Sequence, residues 1–503
     1  MADGDHDGHE TDAGSADQVL TSLGYKPELL RTRSTFQVAF MSFVLASVPY
    51  GLATTLYYPL VCGGPVDIIW GWVAVSLIII CVASSLGEIT SIYPTAGGVY
   101  YQSFMLAPES YRRLAAWICG WLYAVGNISI TLSVNFATAL FLVGCVNVFQ
   151  TPEGKDVLEG SAYQVFLIFL GITLICNLVC SLCNKWLPIL DTFAIFWTFV
   201  GVIAILITVL VVAKNGRHSG GYVFGHFEVN SGWTPGWSFF IGLLHAAYAT
   251  SSTGMIISMC EEVRAPATQV PKAMVLTILF NLAAGLLTLI PLVFVLPDIQ
   301  ELILLAQPVP AIVKSAVGHS GGAFALLIPI LVLGIICGIG CTTATSRSIY
   351  AFSRDGAIPG SKWWKVVHPK LDVPLNGMML SMVIQIALGL IYFGSSAAFN
   401  AFSGVGVIAL TAAYSAPIIV SMIEGRKTVA TGPFYLGKIG WACNIVSVAW
   451  TALVIPLFSM PTTVPVTDPG LANYAPVVFV GFTLISLAWY LAWGRKNYVG
   501  PPT

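Results

Sequence analysis

The spacing of charge along the chain limits what it can fold into more than any other feature. Stretches free of Asp, Glu, Lys and Arg run over 34–66, 68–87, 114–152, 160–184, 192–213, 229–260, 273–297, 315–346, 373–423, 439–467 and 469–494. Each is long enough for the roughly 20 residues of a membrane-crossing helix. An ionised side chain is costly at the bilayer centre, so the gaps read as spans. The 373–423 stretch holds two helices, broken at Gly394-Ser395-Ser396, which brings the number of spans to twelve. Only 45 of 503 residues are charged, 22 Lys and Arg against 23 Asp and Glu, while hydrophobic residues make up 56%. One water-facing globule cannot hide that much apolar surface, so an ordinary soluble enzyme is excluded and a lipid bilayer must cover the rest. A net charge of −1 without a basic stripe gives no footing for nucleic acid.

Orientation follows from Lys and Arg asymmetry. With the N-terminus in the cytosol and twelve spans, eighteen basic residues fall inside and four (Lys155, Lys214, Arg217 and Lys314) outside. Both termini are therefore expected in the cytosol. Residues 1–33 read as a disordered acidic tail and lead-in, because Asp3, Asp5, Asp7, Glu10, Asp12 and Asp17 precede any basic residue. Residues 34–494 form the transmembrane domain and 495–503 a short tail. No basic n-region or early apolar core marks a cleavable signal, so the first span is its own insertion signal.

Backbone that cannot stay helical is tolerated in a bilayer only where it lines protein or a watery cavity. Two runs of this kind stand inside spans. In the first, Pro49, Tyr50, Gly51, Ala53 and Thr54 put a proline and a glycine two residues apart; in the sixth, Tyr248, Thr250, Ser251, Ser252, Thr253 and Gly254 crowd hydroxyls around a glycine. A proline kink and a Ser/Thr packing face would explain each run singly. As a pair at corresponding positions of two five-helix halves, they point to a midplane binding site. Freed N–H groups there can hold a carboxylate, which matters because no Lys or Arg lies at mid-membrane. Asn127 in the third span is placed beside the same cavity. No Ser/His/Asp grouping, paired carboxylates or metal-ligand cluster shares one membrane depth, which argues against a membrane enzyme. Cys176, Cys180 and Cys183 share a helix face and read as packing residues.

Four loop motifs carry a resemblance. Gly87-Glu88, Tyr93-Pro94-Thr95-Ala96-Gly97-Gly98 and Tyr100-Tyr101 follow the second span, and Cys260-Glu261-Glu262 with Pro266 and Val270-Pro271 follow the sixth. Ser346-Arg347, Tyr350, Phe352, Arg354-Asp355-Gly356 and Pro359 follow the eighth; Gly432-Pro433, Leu436-Gly437-Lys438 and Gly440 precede the eleventh. Together they resemble the amino acid/polyamine/organocation transporter superfamily, in its fungal amino acid/choline branch that includes GABA and choline permeases. The resemblance covers roughly residues 24–498.

It implies an all-α polytopic fold of twelve transmembrane helices: a 5+5 inverted-repeat core with discontinuous helices 1 and 6, plus two peripheral helices. It also implies secondary active uptake of a small molecule by alternating access at the plasma membrane, commonly driven by protons, with no cofactor and no resident metal. An amino acid or GABA-like zwitterion suits dipole capture. Choline or another organic cation would use an aromatic cage drawn from Trp121, Tyr123, Tyr50 and Tyr248, and a permease for a basic alkaloid or its precursor fits the same cavity. For coupling, His245 in the sixth span has the ordinary chemistry of a proton relay. Glu88 and Glu261 read as inner-gate partners of Arg347 or Arg354. Thr342 and Thr343 resemble the hydroxyls of a sodium site in related folds, which makes sodium the second coupling ion. The alternative class is a nutrient sensor on the same fold, for which the stretches before Phe36 and after 494 are short.

Overall fold

The computed structural model describes Gly14, residues 16–29, Arg31, and residues 35–214, 216–394, 396–468 and 472–502. Twelve helices in it are long and apolar enough to cross a membrane: α1 (Gln37–Thr54), α2 (Gly64–Thr90), α3 (Arg112–Val146), α4 (Ala162–Leu182), α5 (Asn184–Val212), α6 (Pro235–Glu262), α7 (Pro266–Phe294), α8 (Ser320–Arg354), α9 (Leu375–Phe393), α10 (Ala401–Ile423), α11 (Gly437–Leu457) and α12 (Ala475–Asn497). The break expected in 373–423 is present, since α9 ends at Phe393 and helix resumes at Ser396. The apolar stretch of α6 is 94% buried and that of α12 only 6%. The sixth helix thus runs through the middle of the bundle, and the twelfth faces lipid.

Both interrupted helices are present, but neither interruption has the expected form. The first half of α1 runs Thr35–Ala46 and the second Val48–Thr54, with Ser47 between them at φ +37°. A non-glycine residue in that left-handed region costs about 1–2 kcal/mol. Proline restrains the residues before it, yet its fixed φ suits the first turn of a new helix. Pro49 therefore starts the second half, and the break lies two residues upstream of it. In α6 the chain is helical over Pro235–Gly242 and Leu244–Thr250, then winds as a 3-10 helix over the 12 residues Ser251–Glu262. Runs of 3-10 beyond three or four residues are uncommon, and at about 2.0 Å per residue this one spans roughly 24 Å against about 18 Å for an α-helix. The segment is tightened, not unwound. Thr250, Ser251 and Thr253 explain why, because each hydroxyl bonds back to a carbonyl of its own helix, at Ala246, Tyr248 and Thr250. Such bonds compete with the α-helical ladder.

The two interrupted helices are fastened to each other. The Ser252 hydroxyl donates to the Leu45 carbonyl at 2.7 Å, in the last turn before the α1 break. A Cβ on Gly51 would stand 3.2 Å from the Ala249 methyl, so the helices approach at a glycine facing an alanine.

Of the acidic tail, residues 1–13 lie outside the described residues. The described part folds onto the membrane face that carries the termini, hereafter the terminal face: 16–22 are helical, and Leu20, Tyr25 and Leu29 are buried. Asp67, which the charge pattern puts between two spans, sits inside α2 and is 1% exposed.

Candidate functional site

A cavity of about 460 Å³ enters the bundle from the face opposite the termini. Its walls include Thr54 at the end of α1 with Thr55, Tyr57 and Tyr58 just after it, Ser133 and Phe136 of α3, and Leu244 and Tyr248 of α6; residues 303–307, Met460, Thr462, Thr463, Ala472 and Asn473 line it as well. No charged side chain is among the described lining residues. The Tyr248 hydroxyl and the Gln307 side-chain oxygen are buried without a partner, although Gln307 Nε2 reaches the Thr54 carbonyl at 3.3 Å. Buried polar atoms are nearly always paired, so these two are available to a ligand. Ser133 and Ser403 bond one another across the wall.

Of the residues assigned to the substrate in the sequence, only Thr54 and Tyr248 line this cavity. Pro49, Gly51 and Ala53 are buried in the helix beneath it. Tyr50 is committed elsewhere, donating to the Val134 carbonyl at 2.7 Å and lying 2.8 Å from the Thr138 hydroxyl. Thr250, Ser251, Ser252 and Thr253 hold the α6 backbone and its staple to α1. Gly254 faces an aromatic ring: a Cβ there would come 2.6 Å from Tyr414 Cζ. Tyr414 donates to the Ser251 carbonyl at 2.9 Å and Tyr123 to the Gly254 carbonyl at 3.3 Å, the two rings meeting edge to face at 6.3 Å. The carbonyls expected to greet a solute are thus covered by a tyrosine pair. Asn127 is not on the cavity wall; its Nδ2 donates to the Tyr123 carbonyl at 2.7 Å, and the Thr345 hydroxyl donates to its backbone carbonyl. Trp121 packs against Trp117 and Phe352, so of the proposed aromatic cage only Tyr248 is at the cavity. Tyr57 and Tyr58, which the sequence reading missed, are the cavity's other tyrosines.

The half-helix dipole also has the opposite sign from the one expected. The cavity meets the second half of α1 at its C-terminal residues Thr54 and Thr55, not at its N-terminus. A helix C-terminus favours positive charge.

His245 is 1% exposed; its Nδ1 lies 2.9 Å from the Thr55 hydroxyl, and its Nε2 is buried without a partner. Thr343 donates to the Ile339 carbonyl and lies 3.2 Å from Cys180 Sγ, whereas the Thr342 hydroxyl is buried and unpartnered. The Leu45 carbonyl at the α1 break accepts from Ser252 and, at 3.5 Å, from Cys337.

The terminal face is closed by ion pairs. Glu261 takes both guanidinium nitrogens of Arg354 at 2.9 and 3.1 Å and also accepts the Ala96 N–H at 3.0 Å. Arg347, wholly buried, donates to Glu262 at 2.6 Å and to Asn184 at 2.9 Å. Glu88 pairs not with either of those arginines but with Arg426, at 2.5 Å, and caps the Leu436 N–H at 2.8 Å. Removing one member of such a pair strands a buried charge, at about 3–5 kcal/mol. The N-terminal segment seals this layer: Arg31 donates to the Val263 carbonyl at 2.6 Å, and Tyr25 stacks on the Arg354 guanidinium at 3.9 Å and donates to Asp355. Burial pushes the Asp355 carboxyl up to about 6, against the opposing pull of Arg354.

A family model for amino acid permeases matches residues 34–482. Among curated proteins, the chain is 33% identical to the amino-acid permease BAT1 of Arabidopsis thaliana, over 96% of this chain and 95% of that one. It is 30% identical to a choline transporter of Saccharomyces cerevisiae, over 93% of this chain and 83% of that one. To the GABA-specific permease of the same yeast it is also 30% identical, over 97% and 86%.

Proposed function

The chain belongs to the amino acid permease family and is a secondary transporter spanning the membrane twelve times, and from that premise we propose that it carries a small zwitterion, an amino acid or a GABA-like ω-amino acid, with protons. The terminal face is read as cytosolic, the membrane as the plasma membrane, and the 460 Å³ cavity as the route by which solute enters from outside. The observation that carries this reading is the uncharged cavity wall with two orphaned polar groups, Tyr248 and Gln307. A net-neutral solute needs no counter-charge there. A polyamine would enter as a multiple cation with no carboxylate to meet it, at a desolvation cost that dipoles repay poorly. The ammonium end is favoured beside the C-terminus of the second half of α1, and the carboxylate beside the hydroxyls of Tyr248 and Ser133. Sodium remains the second reading for the ion, through the unpartnered Thr342 hydroxyl.

Tyr57, Tyr58 and Tyr248 on one wall favour a second substrate, a quaternary amine such as choline, which needs π-faces and no carboxylate site. Radiolabelled GABA, proline, basic amino acids and choline, offered to a permease-deficient host with and without a protonophore, decide between them. Protonophore-sensitive uptake of a zwitterion supports the proposal; uptake of choline alone replaces its substrate, and uptake indifferent to the protonophore removes the proton.

A further inference from the structure

Asp67 is the one described carboxylate inside the membrane-spanning bundle with both oxygens buried and without a hydrogen-bond partner. Glu88, Glu261 and Glu262, also buried, each meet an arginine. The residue occupies a π-helical turn, Asp67–Gly71, one of the irregularities that recur at functional sites. Its carboxyl fits into the side of α6 at Gly242, where any Cβ would overlap Oδ2, and a Cβ on Gly71 would stand 2.8 Å from Oδ1. Gly242 is the last residue before the Leu243 joint of α6, and Ile241 and Leu244, on either side of that joint, line the cavity. One thin stretch of α6 therefore separates Asp67 from the solute's entry route.

Among the described residues, no positive group faces this carboxyl. The segment Pro235–Gly242 has no ionisable side chain, and the residues before the turn offer Cys62, whose Cβ borders the same Gly242 pocket. His226 and Glu228, on the loop beside Gly63 and Val66, pair with one another at 3.2 Å. Lys272, the only charge of α7, lies ten residues before Leu282, which accepts the Trp72 indole N–H, and so about 15 Å along the helix. His245 stands one turn beyond Gly242 on α6, with Nδ1 at Thr55. An ionised carboxylate with no partner and no water is among the most expensive arrangements a membrane interior can hold. As a neutral acid, the same group costs little.

Resting on the proton-coupled reading above, we propose that Asp67 is the group that carries the coupled proton, held under α6 at Gly242 and released when that stretch of α6 lifts from α2. The carboxylate takes H⁺ from water on the cavity side before α6 packs over it, and the acid gives H⁺ up to water once that stretch of α6 lifts from α2. Ionisation and the α2–α6 contact then exclude each other, which is what links ion to conformation.

The test uses the full chain in proteoliposomes, with labelled GABA as the transport probe and infrared spectroscopy of ¹³C-aspartate protein as a readout independent of substrate. Wild type should show a protonated aspartic carboxyl band at neutral pH that Asp67→Asn lacks. The variant should retain GABA counterflow within about threefold while losing accumulation driven by a pH gradient, whereas His245→Ala keeps the band. A wild-type protein without the band overturns the assignment, even if the Asn variant does not fold. Gradient-driven accumulation undiminished in Asp67→Asn overturns it too, while leaving proton coupling intact. A wild type that exchanges GABA but ignores the pH gradient overturns the coupling reading itself.

Discussion

Replacing Gly254 by alanine asks whether this glycine serves the solute or the tyrosine above it. The added methyl would sit 2.6 Å from Tyr414 Cζ and 2.9 Å from Cδ1, well inside contact distance, so ring or helix must move. Overpacking of this kind costs about 1–3 kcal/mol. If the ring moves, its 2.9 Å bond to the Ser251 carbonyl goes as well, and a buried carbonyl left bare costs about 1–3 kcal/mol more. The sum, about 2–6 kcal/mol, is ample to lower uptake tenfold or more through the α6–α10 contact, with the β-branched Gly254→Val worse still. The assay is a two-by-two comparison of initial uptake, corrected for surface expression, in wild type, Gly254→Ala, Tyr414→Ala and the double variant. Tyr414→Ala is itself damaging, but it removes the obstacle, so alanine at 254 should cost less than threefold in that background. An equal proportional loss in both backgrounds would show that the glycine answers to something other than Tyr414, and the packing argument would fail.

Tyr248→Phe removes only an unpartnered hydroxyl, so thermal stability in detergent should not change while KM rises about tenfold, equivalent to about 1.4 kcal/mol; an unchanged KM would take this hydroxyl out of recognition. Glu261→Gln weakens the bidentate Arg354 contact and should raise the reactivity of the neighbouring buried Cys260 toward a membrane-permeant thiol reagent, measured against Cys260→Ala; unaltered labelling would mean that the pair does not hold the terminal face shut. Asp355 binds its proton more tightly folded than unfolded, so its contribution is fullest below about pH 4 and declines as pH rises through about 6. Wild type should therefore lose thermal stability relative to Asp355→Asn across that window and run parallel to it above pH 7; parallel curves throughout would contradict the burial argument.

The spans were legible because charge is excluded from lipid by a large energy, and a rule that strong leaves its mark residue by residue. Asp67 and Asp191 are exceptions, each buried inside a span whose edge the charge pattern set at them: a carboxyl hidden inside the bundle looks the same in sequence as one at a span boundary. The interruptions were legible as to helix, not form. Pro49 announces an irregularity, but whether it ends one helix or begins the next depends on where Ser47 can adopt its left-handed φ. Four neighbouring hydroxyls likewise announce weak α-helix without saying that three of them will bond their own backbone.

The four loop motifs raise a different question, since none of them lines the cavity. The Ala96 N–H donates to Glu261; Glu261 and Glu262 meet Arg354 and Arg347; and the start of α11 at Gly437 and Gly440 borders the Glu88–Arg426 pair, with Arg426 donating to the Gly437 carbonyl at 2.8 Å. Gly440 is glycine because a Cβ would strike the Arg426 guanidinium. The motifs that carry the resemblance thus lie in the buried ion pairs of the terminal face. In the proposed reading, recognition rests instead on hydroxyls, rings and backbone at Thr54, Tyr57, Tyr58, Ser133, Tyr248 and Gln307 of the cavity wall, residue types that occur throughout the chain and carry no spacing rule. Relatives at 30–33% identity carry names as different as amino-acid permease, choline transporter and GABA-specific permease. In that reading, exchanging the cavity residues should move substrate choice while leaving the closure, and with it the transport cycle, in place.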